Sequence, residues 1–168
     1  DHGVTINPAA ASKIEVVRGP VTLMFGSNAL GGLVNVISNA IPNQQAQGVR
    51  GTATVDLGNN SGQTTGGTDI WWGNSSWALH AGGGGARTGA YETPYGTVDN
   101  TQSRSGFGSI GLSWTGPKGY VGASYGYEDT RYGIPYVEEC LVELTPGRHL
   151  VNVRGEMKNL AGFFQAVK

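Results

Sequence analysis

Val121-Gly122-Ala123-Ser124-Tyr125-Gly126-Tyr127 sets apolar and aromatic residues on odd positions and Gly or Ser on even ones. Side chains alternate across a sheet at period two, so this stretch reads as a strand with one bulky and one small face. The same alternation recurs on both sides of it. Upstream, Ile110, Leu112 and Trp114 alternate with Gly111 and Ser113, and Trp77, Leu79 and Ala81 with Ala78, His80 and Gly82. Further upstream, Ala53, Val55 and Leu57 share one face while Thr52, Thr54 and Asp56 share the other. Downstream, Val151 and Val153 alternate with Asn152 and Arg154. The spacing predicts five or six strands beyond about residue 48. Turn chemistry at Asn59-Asn60-Ser61-Gly62 and at Gly116-Pro117 separates them.

Two further features bear on what these strands enclose. Aromatic residues collect near strand ends: Trp71, Trp72, Trp77, Trp114, Tyr120, Tyr125, Tyr127 and Tyr132. Connections alternate between short, as at Gly116-Pro117-Lys118, and long and polar, as over residues 84–104. Transmembrane barrels show both aromatic girdles and this alternation of turn lengths. Period two by itself fits a soluble sandwich equally well, so the pattern leaves both architectures open.

Composition narrows the classes. Charged residues are 14% of the 168, against roughly 25% in a typical soluble domain. Glycine fills 29 positions, more than double the usual ~7%. Formal net charge is -1, which offers no basic field for nucleic acid. No apolar run reaches the length of a transmembrane helix. The single Cys140 excludes an internal disulfide and a cysteine zinc cluster.

The motifs that suggest catalysis fail on context. Gly106-Phe107-Gly108-Ser109-Ile110-Gly111 matches a dinucleotide fingerprint, but a strand continues after it where a helix must begin. Gly122-Ala123-Ser124-Tyr125-Gly126 matches a nucleophile elbow, yet its serine sits inside a regular alternation. Gly82 to Gly85 lacks the Lys-Ser/Thr of a phosphate loop. No residue set for covalent chemistry emerges, so neither an enzyme nor a cofactor is expected. His2, His80 and His149 are too far apart for a local metal motif. Glu138-Glu139-Cys140, with Glu143 and His149 beyond, reads either as a solvated loop or as a divalent-cation site.

Residues 1–42 differ in character from the rest. Asn7-Pro8 suggests a helix start, and Val21 to Phe25 a helical turn. Ile14 to Val17 and Leu33 to Ile37 read as short strands. Within this unit lie Ile14-Glu15-Val16-Val17-Arg18-Gly19-Pro20 and Phe25-Gly26-Ser27-Asn28-Ala29-Leu30-Gly31-Gly32-Leu33-Val34-Asn35-Val36-Ile37. Together they resemble the end of the plug of TonB-dependent outer-membrane receptors. Asp1-His2-Gly3-Val4, Tyr132-Gly133-Ile134-Pro135 and Arg154-Gly155-Glu156 are similar, more loosely, to a branch that includes zinc-uptake receptors. The stretch from Glu138 to Cys140 has no His before His149, a departure from the His-rich loops of zinc-uptake members.

The resemblance implies a mainly β chain: a fragment of a 22-stranded transmembrane β-barrel with the C-terminal part of an α/β plug. Residues 1–42 would be plug and 43–168 the first barrel strands. A signal peptide and the TonB box would lie upstream of Asp1. The implied function is active import of a scarce nutrient, such as a metal ion, siderophore or other metal complex, across the bacterial outer membrane. The implied partners are the TonB complex, outer-membrane lipid and a small cargo. Glu15 and Arg18, three apart on a strand, would point to opposite faces and serve as a plug–barrel lock. Gly19, Gly26, Gly31 and Gly32 would serve tight turns with positive φ. Glu138, Glu139 and His149 would be the candidate metal ligands. A Gly-rich surface adhesin is the alternative; it predicts a fixed repeat period, and the strand spacings here vary.

Overall fold

A computed structural model describes residues 11, 13–19, 31–38, 40–45, 47–135, 142–158 and 166–167. Strands β1 (Lys13–Arg18) and β2 (Gly32–Ile37) form an antiparallel pair by themselves. Both are rich in β-branched residues, which suit a pleated surface. The helical turns expected around Asn7-Pro8 and over Val21 to Phe25 lie outside the described residues.

The remainder is built on one antiparallel sheet. Its long strands are β3 (Gly48–Gly58), β4 (Gln63–Gly73) and β5 (Trp77–Thr88). A small hairpin of β6 (Glu92–Thr93) and β7 (Gly96–Thr97) follows within the connection to β8 (Ser103–Gly116). Then come β9 (Gly119–Ile134), the short β10 (Val142–Leu144), β11 (Gly147–Lys158) and β12 (Ala166–Val167). Spatial order is β12-β11-β9-β8-β5-β4-β3, with β10 also pairing with β9. Each long strand thus neighbours the preceding and following long strand, an up-and-down meander. Short turns at residues 74–76 and 117–118 lie at one end. The connections at 89–102 and 135–146 lie at the other. Among the described residues no helix is long and apolar enough to cross a membrane, which says nothing of strands.

The register shows which residues share a face. Val49, Trp72, Leu79, Leu112, Ala123 and Val153 lie in one cross-strand row. We call their side the outer face. The inner face is the one crossed by the Ala40–Gln45 segment. Bulky apolar side chains stay exposed on the outer face, Val153 at 75%, Val49 at 72% and Leu57 at 78%. Among the described residues only Ala40 and Ala78 are buried and hydrophobic. The other buried side chains are polar: His80, Ser113, Thr115 and Ser124, all on the inner face. Burial is therefore inverted relative to a water-soluble domain, whose core takes the large apolar groups. A sandwich would need those outer residues facing a second sheet ~10 Å away, and no such sheet is present among the described residues.

Several strands run beyond their sequence limits. Gly82 to Gly85 is paired throughout with β8, and β8 begins at Ser103, so the loop expected over 84–104 shrinks to 89–102. Strand β4 has no counterpart in the alternation. Its first half is Thr and Gly, and Ile70-Trp71-Trp72 places bulky groups on both faces. Both Gly106–Gly111 and Gly122–Gly126 lie inside regular strands. Neither the phosphate turn nor the strained serine turn that those motifs need is formed there.

Candidate functional site: the inner wall and the segment that crosses it

The inner face of β8 and β9 is cut low by small residues. A Cβ at Gly111 would collide with the Ala40 carbonyl oxygen. One at Gly122 would meet Ser113 Oγ and come within 2.8 Å of Ile41 Cγ2. Glycine at both positions lets the Ala40–Ile41 backbone lie directly on the wall. Ser113, Thr115 and Ser124 are buried around it. Further along, Gln45 Nε2 donates to the Ser75 carbonyl over 2.8 Å, which ties the segment to the short-turn end. Ser113 Oγ, Thr115 Oγ1 and His80 Nδ1 are buried without a hydrogen-bond partner among the described residues.

A polar stack lies beside this crossing. His80 Nε2 is 2.9 Å from Asp69 Oδ1, and His80 is 4% exposed. Its ring tilts at 39° against Trp71, centroids 4.9 Å apart. The Arg50 guanidinium stands 5.2 Å over the Trp71 ring, within cation–π range. Three adjacent strands thus contribute Arg50, Asp69 with Trp71, and His80. Parity places them together once β4 is known to be a strand, and its absence from the alternation hid the group.

A cavity of about 190 Å³ lies between Val36, Ser38 and Ala40 on one side and the wall on the other. Glu128, Arg148 and Asn152 line it. Arg148 Nη2 donates to Glu128 Oε2 over 2.5 Å, and the two are directly opposed in register. Such a charge-assisted pair is shorter and stronger than a hydrogen bond between neutral groups.

The expected plug residues are only partly described. Glu15 and Arg18 do lie on opposite faces of β1. Glu15 accepts from Lys13 Nζ at 2.5 Å and from Asn35 Nδ2 at 3.2 Å. The Lys13 bond first, and the Asn35 amide second, hold its carboxyl below the usual carboxylate range. Arg18 is exposed and has no ion-pair partner among the described residues. Gly19 and Gly32 have positive φ, 92° and 134°, whereas Gly31 does not. Gly19 N donates to the Gly31 carbonyl over 3.2 Å. Gly26, Glu138 and Glu139 lie outside the described residues. His149 stands on the outer face, its Nδ1 2.7 Å from the Tyr125 hydroxyl and its ring 4.9 Å from Tyr127. Among the described residues no three His, Cys, Asp or Glu side chains form a metal-holding group.

No protein-family model matches this chain. Among solved structures it is similar to one described as "Copper transporter OprC", at 19% identity and a TM-score of 0.74. The match covers 96% of this chain and 25% of that one, so the chain spans about a quarter of that protein's length. At that identity the likeness speaks for architecture alone. The chain shares the fold of part of that structure: a mainly β wall whose strands follow one another as an antiparallel meander.

Proposed function

We propose that this chain belongs to an outer-membrane active-transport receptor that imports a scarce metal ion or metal complex into the periplasm. One observation carries the reading: apolar side chains are exposed on the outer face, while small and polar ones are buried beneath a chain segment on the inner face. That is the polarity of a barrel wall in lipid with an occupied lumen. In this reading residues 1–42 end the plug and 43–168 begin the barrel. Cargo binds at the long-loop end. The outer membrane holds no gradient of its own, so the TonB complex supplies the work that loosens the plug. Arg18, free of an ion pair among the described residues, is the group through which the plug would lock to a wall carboxylate.

The neighbour's printed description makes copper the first cargo to test. Cells lacking the full-length protein should accumulate less radiolabelled copper at low external concentration than cells with it restored. A protonophore should abolish the difference. Equal, protonophore-insensitive accumulation in both strains would overturn the reading.

A further inference from the structure

Arg87, Arg104 and Arg131 stand directly opposite one another on β5, β8 and β9, all exposed on the outer face. Like charges in direct cross-strand register repel, so such a row is destabilising without an anion. Arg131 has one, Glu143, at 2.9 Å. Arg87 and Arg104 have no ion-pair partner among the described residues. The row borders an open trough of about 760 Å³ in which Asp129 is the one carboxylate among the described lining residues.

Beside the row the Asp129 carboxylate lies over Gly106, its Oδ1 3.0 Å from where a Cβ would stand, and open ground begins at Gly108. Gly85 faces Gly106, and Gly83 faces Gly108, on the same outer face and next in line toward the short-turn end. Thr68 bounds this strip on β4 and Tyr127 on β9. A Cβ at Gly108 would have nothing closer than 4.0 Å, so nothing of the protein fills the space. The strip is a groove floored by backbone, with the guanidinium groups and the Asp129 carboxylate at its head.

Its height is the second argument. Trp77, Trp114 and Val121 form a cross-strand row near the short turns. Each lies ten positions from the arginine of its own strand. Ten residues at ~3.3 Å, tilted ~35–45°, rise about 23–27 Å, the height of a barrel's apolar band. The arginines therefore lie at the far edge of that band, at the long-loop end, where headgroups begin.

We propose that this groove is a binding site for the phosphorylated headgroup of a lipid in the outer leaflet. Arg87 and Arg104 would grip the phosphate, and the glycine strip would seat the rest of the headgroup. Guanidinium forks match phosphate oxygens bidentately, which explains arginine in the row where lysine would serve as a bare charge. The inference rests on the outer face meeting lipid and is independent of the cargo.

The test is native mass spectrometry of the full-length protein in nonionic detergent, offered phosphatidic acid and phosphatidylcholine in equal amounts. The protein should retain phosphatidic acid preferentially. Arg87→Gln with Arg104→Gln should cut that preference at least about tenfold, the scale of losing charged hydrogen bonds. Gly108→Leu, which fills the groove and leaves every charge in place, should cut it as well. Absence of a headgroup preference in the unaltered protein overturns the proposal, whatever the variants do. Full displacement of the lipid by millimolar inorganic phosphate overturns the lipid as source and leaves a free-anion site. Equal copper accumulation with and without the protein, with the lipid preference intact, would count against the transport reading only.

Discussion

Asp69 and His80 meet diagonally across β4 and β5 on the inner face, Oδ1 to Nε2 2.9 Å apart, with the imidazole almost wholly buried. Trp71 covers the ring and Arg50 covers Trp71. Replacing His80 with Ala removes the partner and opens a gap beside Gly111, its opposite residue on β8. The expected loss is about 1–3 kcal/mol. Asp69→Asn keeps the shape and should cost less, about 0.5–1.5 kcal/mol. The temperature at which the full-length protein loses its folded mobility on a detergent gel reads both.

Gly111 and Gly122 form the seat of the crossing segment. Gly111→Val should lift Ala40 from the wall and destabilise by about 1–3 kcal/mol, as overpacking does. On the proposed function it should also raise the sensitivity of cells to large antibiotics, because the proposed plug would no longer seal. Gly126→Ala is the control on the same face: its Cβ would have no neighbour nearer than 3.8 Å. A Gly111→Val receptor as tight and stable as the Gly126→Ala one would remove the seat from the account.

Glu15 gives the β1–β2 hairpin a pH dependence of known sign. Lys13 and Asn35 hold its carboxyl below the ordinary carboxylate value. A lowered native value stabilises the hairpin fully above the ordinary one. That contribution fades as pH falls through the lowered value. Protection of the Ile14 to Val17 amides, taken relative to the intrinsic exchange rate at each pH, should therefore fall in acid. Glu15→Gln should exchange faster at neutral pH and show no such acid step.

Arg18 differs from Glu15 in having no ion pair among the described residues. As the proposed lock, its loss should act on release of the plug and not on folding. Arg18→Ala in the full-length protein should change antibiotic leakage or uptake at unchanged thermal stability. Unchanged leakage and unchanged uptake together would end the lock.

The strands that the sequence displayed best are those whose two faces differ in bulk, such as 121–127 and 110–114. There Val, Tyr, Ile, Leu and Trp stand against Gly and Ser, and the register follows directly. Strand β4 escaped because Thr64 to Gly67 has no bulky face and Trp71-Trp72 has two. Gly84 and Gly85 fell within the loop expected over 84–104, yet backbone hydrogen bonding on both sides holds them in the sheet. Local propensity therefore misjudges a strand held by its neighbours. Of the inner-wall residues, Arg50, Asp69 and His80 were invisible as a group because their assembly depends on β4. The Glu128–Arg148 pair needed the β9–β11 register, which a separation of twenty positions does not encode locally.

The central claim is that the outer face meets lipid and the inner face does not. Single spin labels at 151 to 154 on β11, placed one at a time in the full-length protein with Cys140 replaced, test it directly in bilayers. Labels replacing Val151 and Val153 should collide freely with oxygen and poorly with a water-soluble nickel chelate. Labels replacing Asn152 and Arg154 should show the opposite preference, giving a period of two. Equal chelate access at all four positions would mean that both faces of the sheet stand in water, and the barrel-wall account would be wrong.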